Sequence, residues 1–127
     1  MEWRVVSEQP TGRELDILKV LWQHGPCSVR EVHRHLDEPD LAYNTVQTVT
    51  EILCRKGWLA REKEGRAYRY RATVSRDEYT GDLMGEALAA SADRAAAFRR
   101  FAERISPSEA EQLRQALEQA RHAGDQQ

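Results

Sequence analysis

A mainly helical fold carrying one small β-hairpin is what this sequence of 127 residues predicts. Three observations predict it. Apolar residues recur at helical spacing over most of the chain, alternation at strand spacing is confined to residues 59–72, and four hydroxyl-x-x-Glu runs mark helix starts. The hydrophobic fraction of 40% suffices for one modest core, so the chain reads as one domain, or as a small domain with an appendage.

The elements follow in order. Met1 to Gln9 reads as an arm, with Trp3, Val5 and Val6 as its apolar residues. Thr11-Gly-Arg-Glu14 opens the first helix, whose Leu15, Leu18 and Trp22 line one face. Ser28-Val-Arg-Glu31 opens the second, lined by Val29, Val32 and Leu36. The third lies within Leu41 to Gly57, where Val46, Val49 and Leu53 recur at i, i+3 and i+7 with Ile52 beside them. Leu59 to Glu64 and Tyr68 to Ala72 then flank Gly65-Arg66, the pattern of two strands joined by a cationic turn. Helix, helix, helix, strand, strand is the order of a winged helix-turn-helix unit, assigned here to residues 1–74.

Residues 75–127 change character, being rich in alanine and carrying three amphipathic segments. The first runs from Arg76 to about Ala90 behind a start at Ser75-Arg-Asp-Glu78, with Tyr79, Leu83, Met84 and Leu88 on its apolar side. The second runs from about Asp93 to Arg104, with Phe98, Phe101 and Ile105. Ser106-Pro-Ser-Glu109 opens the third, Pro107 standing at the first helical position, with Leu113 and Leu117 following. About fifty residues of short helix have too little apolar surface for an independent core. A second copy of the chain is the simplest cover for Tyr79, Leu83, Leu88, Phe98, Phe101, Ile105, Leu113 and Leu117; folding back on the same domain is the alternative.

The chemistry sits on the third helix. Its second side carries Asn44, Thr45, Gln47 and Thr48, short uncharged hydrogen-bonding groups of the kind that read base edges, with Arg55 at its end. A merely solvated helix face would carry more Glu and Lys. Whole-chain charge is −2, which argues against a nucleic-acid partner, but residues 41–74 alone carry +4 while the flanking segments carry −3 each. Phosphate contact depends on that local excess. The expected partner is therefore double-stranded DNA, met by Asn44, Thr45, Gln47 and Thr48 at base edges or adjacent phosphates and by Tyr43 at the helix start. Arg55, Lys56, Lys63 and Arg66 would supply charge, Arg66 from the wing tip. A winged helix used for protein contact is the alternative, and it would need an apolar reading face.

Other classes find less support. No nucleophile, base and orienting group stand at a telling spacing, so an enzyme is not expected. His24 and Cys27, three apart across Gly25-Pro26, would be two ligands of a tetrahedral metal site with no second pair to complete it, so neither metal nor cofactor is expected. Cys54, beside the apolar stripe, reads as a small core residue, and His33 and His35 as solvated surface residues. Two cysteines give no disulfide framework, and no leader-like segment or run near 18 apolar residues occurs, so the expected location is the cytoplasm without membrane insertion.

The run ELDILKVLWQHGPCSVREVHRHL, followed by LAYNTVQTVTEILCRKGWLAREKEGRAYRYRATVSRDEY, resembles the penicillinase-repressor (BlaI/MecI) family of bacterial transcription regulators. Ala42-Tyr43, Thr45-Val46, Thr48 and Gly65-Arg66-Ala67-Tyr68 stand where that family's motif has them, and residues 11 to 80 carry the closest likeness. The resemblance implies a homodimeric repressor that covers an inverted-repeat operator of β-lactamase or cell-wall genes. It also implies release by a membrane-bound sensor protease that cuts the C-terminal region, the bond between Arg100 and Phe101 being the nearest candidate. Asn44 and Gln47 depart from many relatives, so the operator sequence is not carried over. Copper-responsive relatives have paired cysteines near the C-terminus, and this chain has no cysteine after Cys54.

Overall fold

The computed structural model describes residues 9–125, so the arm with Trp3, Val5 and Val6 lies outside the described residues. Six helices and one hairpin follow in order: α1 Gly12–His24, α2 Val29–Leu36, α3 Tyr43–Arg55, β1 Leu59–Glu64, β2 Ala67–Ala72, α4 Arg76–Ala89, α5 Arg94–Arg104 and α6 Pro107–Asp125. Two compact units divide the chain between Met84 and Gly85, within α4.

The helix starts have the physical cause the sequence suggests. The Thr11 amide donates to Glu14 Oε1 at 2.9 Å, and at Ser28/Glu31 and Ser106/Glu109 hydroxyl and carboxylate each receive the other residue's amide. Ser75 accepts from the Glu78 amide at the start of α4. Asp93, just before α5, accepts from the Ala96 amide at 3.1 Å.

The core of the first unit is built by α1, α2, α3 and the hairpin. Ile17, Leu18 and Leu21 of α1 meet Val32 of α2, Val46 and Leu53 of α3, and Leu59 and Tyr70 of the hairpin. Leu15, expected on the core face of α1, is only half-buried, because the buried stripe is Glu14, Ile17, Leu18 and Leu21 at i, i+3, i+4 and i+7. Trp22 flanks that stripe, its indole N–H donating to the Val74 carbonyl at 2.9 Å. On α3, Thr50 is fully buried among the valines, its hydroxyl donating to the Val46 carbonyl at 2.7 Å, which makes an isolated buried hydroxyl tolerable.

β1 and β2 pair antiparallel with Lys63 opposite Tyr68 and Arg61 opposite Tyr70. Gly65 has φ of 64° in the two-residue turn, a conformation that favours glycine at the first central position of a type II′ hairpin. Residue Cys27 adds a single-residue bridge to Tyr70, with N–H···O bonds of 3.0 and 2.8 Å in the two directions. That bridge moors the hairpin to the α1–α2 turn.

Tyr79, expected at a dimer contact, lies elsewhere. Its ring sits 5.4 Å from that of Trp22 and 5.9 Å from that of Trp58, so an aromatic cluster packs the start of α4 against α1 and the residue before β1 within the first unit. Among the described residues from Gly85 on, Gly85 alone is buried, and Phe98, Phe101, Leu113 and Leu117 are exposed.

Candidate nucleic-acid interface

Two elements of the first unit, α3 and the hairpin, present the candidate site. α3 is seated by Val46 and Leu53, both fully buried, with Val49 and Ile52 partly covered. That seating turns Asn44, Thr45, Gln47 and Thr48 outward, and all four are exposed. Among the described residues none of these four side chains is engaged in a hydrogen bond, so each keeps its full donor and acceptor capacity for a partner. Ala42 precedes the helix without a side-chain cap, and the first turn carries no acid. The positive end of the helix dipole is thus left uncompensated beside this rim.

The start of α3 is held by α2. His33 Nε2 lies 2.7 Å from the Leu41 carbonyl oxygen, and since a carbonyl only accepts, Nε2 carries the proton. The same ring meets Tyr43 edge-on at 6.0 Å, leaving Tyr43 partly exposed at the helix start. His33 is therefore a half-buried positioning residue and not a solvated one. His35 is exposed at the surface as expected, its ring stacked on the exposed His24 at 3.7 Å. Cys27 is buried, its thiol directed to the Gly25 carbonyl at 3.3 Å, and burial pushes that thiol's pKa up. His24 and Cys27 thus have separate engagements. Cys54 is half-buried against the core.

The cations divide into two groups. Arg55, Lys63 and Arg66 are exposed, Lys63 and Arg66 at the tip of the hairpin. Lys56 does not stand with them: its ammonium lies 2.9 Å from Glu14 Oε2, on a side chain only 6% exposed. Burial alone would push the Glu14 carboxyl up, but the Thr11 amide, the Lys56 ammonium and the Thr11 hydroxyl together hold it below the ordinary glutamate value. Lys56 neutralises a buried acid and is removed from the cations at the surface. Arg69 is likewise internal in role, bonded to Glu31 at 3.1 Å, Glu64 at 3.3 Å and the Pro26 carbonyl at 2.6 Å, tying the hairpin to α2.

Sequence reading passed over Arg61. Its guanidinium lies 4.2 Å from the centre of the Tyr68 ring, on the face of the hairpin that also carries Lys63. Strand alternation was the available signal, since Arg61 and Lys63 at i and i+2 share a face and antiparallel pairing puts Tyr68 opposite Lys63 and diagonal to Arg61.

In the second unit, Leu83's neighbours along the chain leave a mixed picture: Leu88 and Ile105 are half-buried, whereas Phe98, Phe101, Leu113 and Leu117 are exposed. Leu83 itself, before the division between units, is exposed. Arg100 and Phe101 are exposed residues in the middle of α5. No helix of the described residues is long and apolar enough to cross a membrane.

The family model described as penicillinase repressor matches residues 10–119 of this chain. The transcriptional regulator BlaI of Mycobacterium tuberculosis is 40% identical over 109 residues, which cover 82% of this chain and 79% of that one. The penicillinase repressor of Bacillus licheniformis is 32% identical over 72 residues, 56% of each chain. A solution structure of the DNA-binding domain of the repressor BlaI superposes with a TM-score of 0.50 at 32% identity, covering 56% of this chain and 88% of that structure.

Proposed function

The chain belongs to the penicillinase repressor family, whose members are transcriptional repressors and not enzymes, and from that premise we propose that it represses transcription by binding an operator in duplex DNA. One observation carries the reading: four uncharged polar side chains, Asn44, Thr45, Gln47 and Thr48, are exposed and unengaged on a helix whose other side is locked into the core. In this reading α3 enters the major groove, where amides and hydroxyls match the donors and acceptors of base edges. Tyr43 meets the backbone at the helix start, Arg55 a phosphate at its end, and Lys63 and Arg66 the backbone or the neighbouring minor groove from the hairpin.

The acting species in this proposal is a homodimer on an inverted repeat, with residues 75–127 supplying most of the contact. The exposed Phe98, Phe101, Leu113 and Leu117 support it, because large apolar side chains left on short helices call for a covering surface. Leu83, Leu88 and Ile105 join them, and Tyr79 is left out, being docked on Trp22 and Trp58. Regulated genes of the β-lactamase or cell-wall-stress type, release by a membrane sensor protease, and action in the cytoplasm extend the proposal on the strength of the family. Cleavage between Arg100 and Phe101 would require α5 to unwind first, since both residues lie inside a continuous helix. The test is a titration of labelled duplex from the region upstream of its own gene at two salt concentrations. Arg66→Ala is expected to weaken binding and to reduce the salt slope by about 0.9, the value for one phosphate. Equal binding to unrelated duplexes would refute sequence reading.

A further inference from the structure

Between the end of α3 and the first part of β1 lies a cleft of about 290 Å³ lined by Glu51, Cys54, Arg55 and Arg61. Its lining decides what class of group it suits: small-molecule sites are lined mainly by apolar side chains, whereas this cleft is flanked by two guanidinium groups. Each guanidinium offers planar paired donors matched to phosphate oxygens. Both arginines are exposed, one at the end of the candidate reading helix and the other on the hairpin, so the cleft spans the two elements that would straddle a duplex backbone.

Arg61 is held in place rather than loose. The Tyr68 ring lies beneath its guanidinium at 4.2 Å, and hydrogen bonding to Tyr70 raises its pKa above the ordinary value, so it stays cationic throughout the accessible pH range. A braced cation loses less rotamer freedom on binding than a solvated one. Among the described residues Glu51, one turn before Arg55, is the single acid of the lining, so two Arg and one Glu leave a formal charge of +1 there.

We propose that Arg55 and Arg61 form one clamp on a single backbone phosphate of the duplex, with Tyr68 as the positioning residue for Arg61. The clamp rests on the DNA-binding reading and adds to it a shared contact that fixes the angle between reading helix and wing.

The test uses the full chain and a duplex it selects from a random pool, remade with a neutral methylphosphonate at one linkage at a time. At one linkage the wild type should lose about tenfold in affinity, the effect of a charge-assisted hydrogen bond. Arg55→Ala and Arg61→Ala, each weaker on the unmodified duplex, should both become insensitive at that same linkage while remaining sensitive elsewhere. Tyr68→Leu should dull the sensitivity at the same linkage, and Glu51→Gln should tighten binding to the unmodified duplex. The clamp is overturned if the two arginine variants lose sensitivity at different linkages or at none, even though a duplex is bound. If the pool yields no bound duplex, the DNA-binding reading falls and the clamp with it. Unchanged circular dichroism of the variants separates contact from misfolding, both arginines being exposed.

Discussion

Replacing Lys56 by methionine keeps the aliphatic stem and removes the ammonium that sits 2.9 Å from the Glu14 carboxylate. Breaking one half of a fully buried ion pair costs about 3–5 kcal/mol, while an exposed pair is worth at most about 1 kcal/mol. Glu14 is 6% exposed but Lys56 is 26% exposed, so water reaches one side of the pair. An intermediate destabilisation of about 2 kcal/mol follows, a fall in melting temperature of about 8–16 °C for a unit of fewer than a hundred residues. Its pH dependence is the sharper signature. The depressed Glu14 pKa contributes stability that is present above the unfolded glutamate value, about 4.3, and is lost as pH falls through the folded value. The deficit of Lys56→Met relative to wild type should therefore be complete at pH 7 and shrink as the pH falls through the depressed folded value, where Glu14 takes up a proton and needs no cation. Thermal melts followed by circular dichroism from pH 7 to 3 measure it, with Glu14→Gln/Lys56→Met closing a double-mutant cycle. A constant deficit across that range would refute the buried-acid role. So would an unchanged melting temperature accompanied by a reduced salt slope of DNA binding, which would place Lys56 on a phosphate.

Asn44→Ala or Gln47→Ala should relax base preference at one position of the selected site by about 1–3 kcal/mol and leave stability unaltered, as read by binding to single-base variants of the duplex. Gly25 has φ of 81° with open space around a hypothetical Cβ, so Gly25→Ala meets no clash and its cost is backbone strain alone, about 1–3 kcal/mol in a denaturant melt. Phe98→Glu/Leu117→Glu should leave the melting of the first unit unchanged and shift sedimentation toward the monomer; a wild-type profile for this variant would remove both residues from the dimer contact. His33→Ala, by removing the bond to the Leu41 carbonyl, should cost about 1 kcal/mol of stability and weaken DNA binding together, because the start of α3 loses its brace.

Much of the fold was legible because it is written locally. Capping runs such as Ser28-Val-Arg-Glu31 and Ser106-Pro-Ser-Glu109 satisfy amides within one turn, and the helices begin there. The apolar stripe through Val46 and Leu53 fixed which side of α3 is buried and thereby which side carries Asn44, Thr45, Gln47 and Thr48. Strand alternation around Gly65-Arg66 gave the hairpin and its turn, missing only Ala67 as the first residue of β2.

Most of what escaped local reading has one cause, sequence distance. Lys56 and Glu14 stand 42 residues apart, Arg69 and Pro26 43, and Trp22 and Val74 52. Lys56, counter-ion of a buried acid rather than a phosphate contact, and Tyr79, in an aromatic cluster rather than on the dimer face, turned on such neighbours, whereas the brace made by His33 reaches the Leu41 carbonyl only eight residues on. The sequence alone determined where helices and strands begin, which sides are apolar and where positive charge accumulates, since periodicity and capping act within one or two turns. Only the tertiary structure decided which of the cations remain at the surface and which are consumed inside, because a buried acid draws its counter-ion from whatever segment folding brings against it.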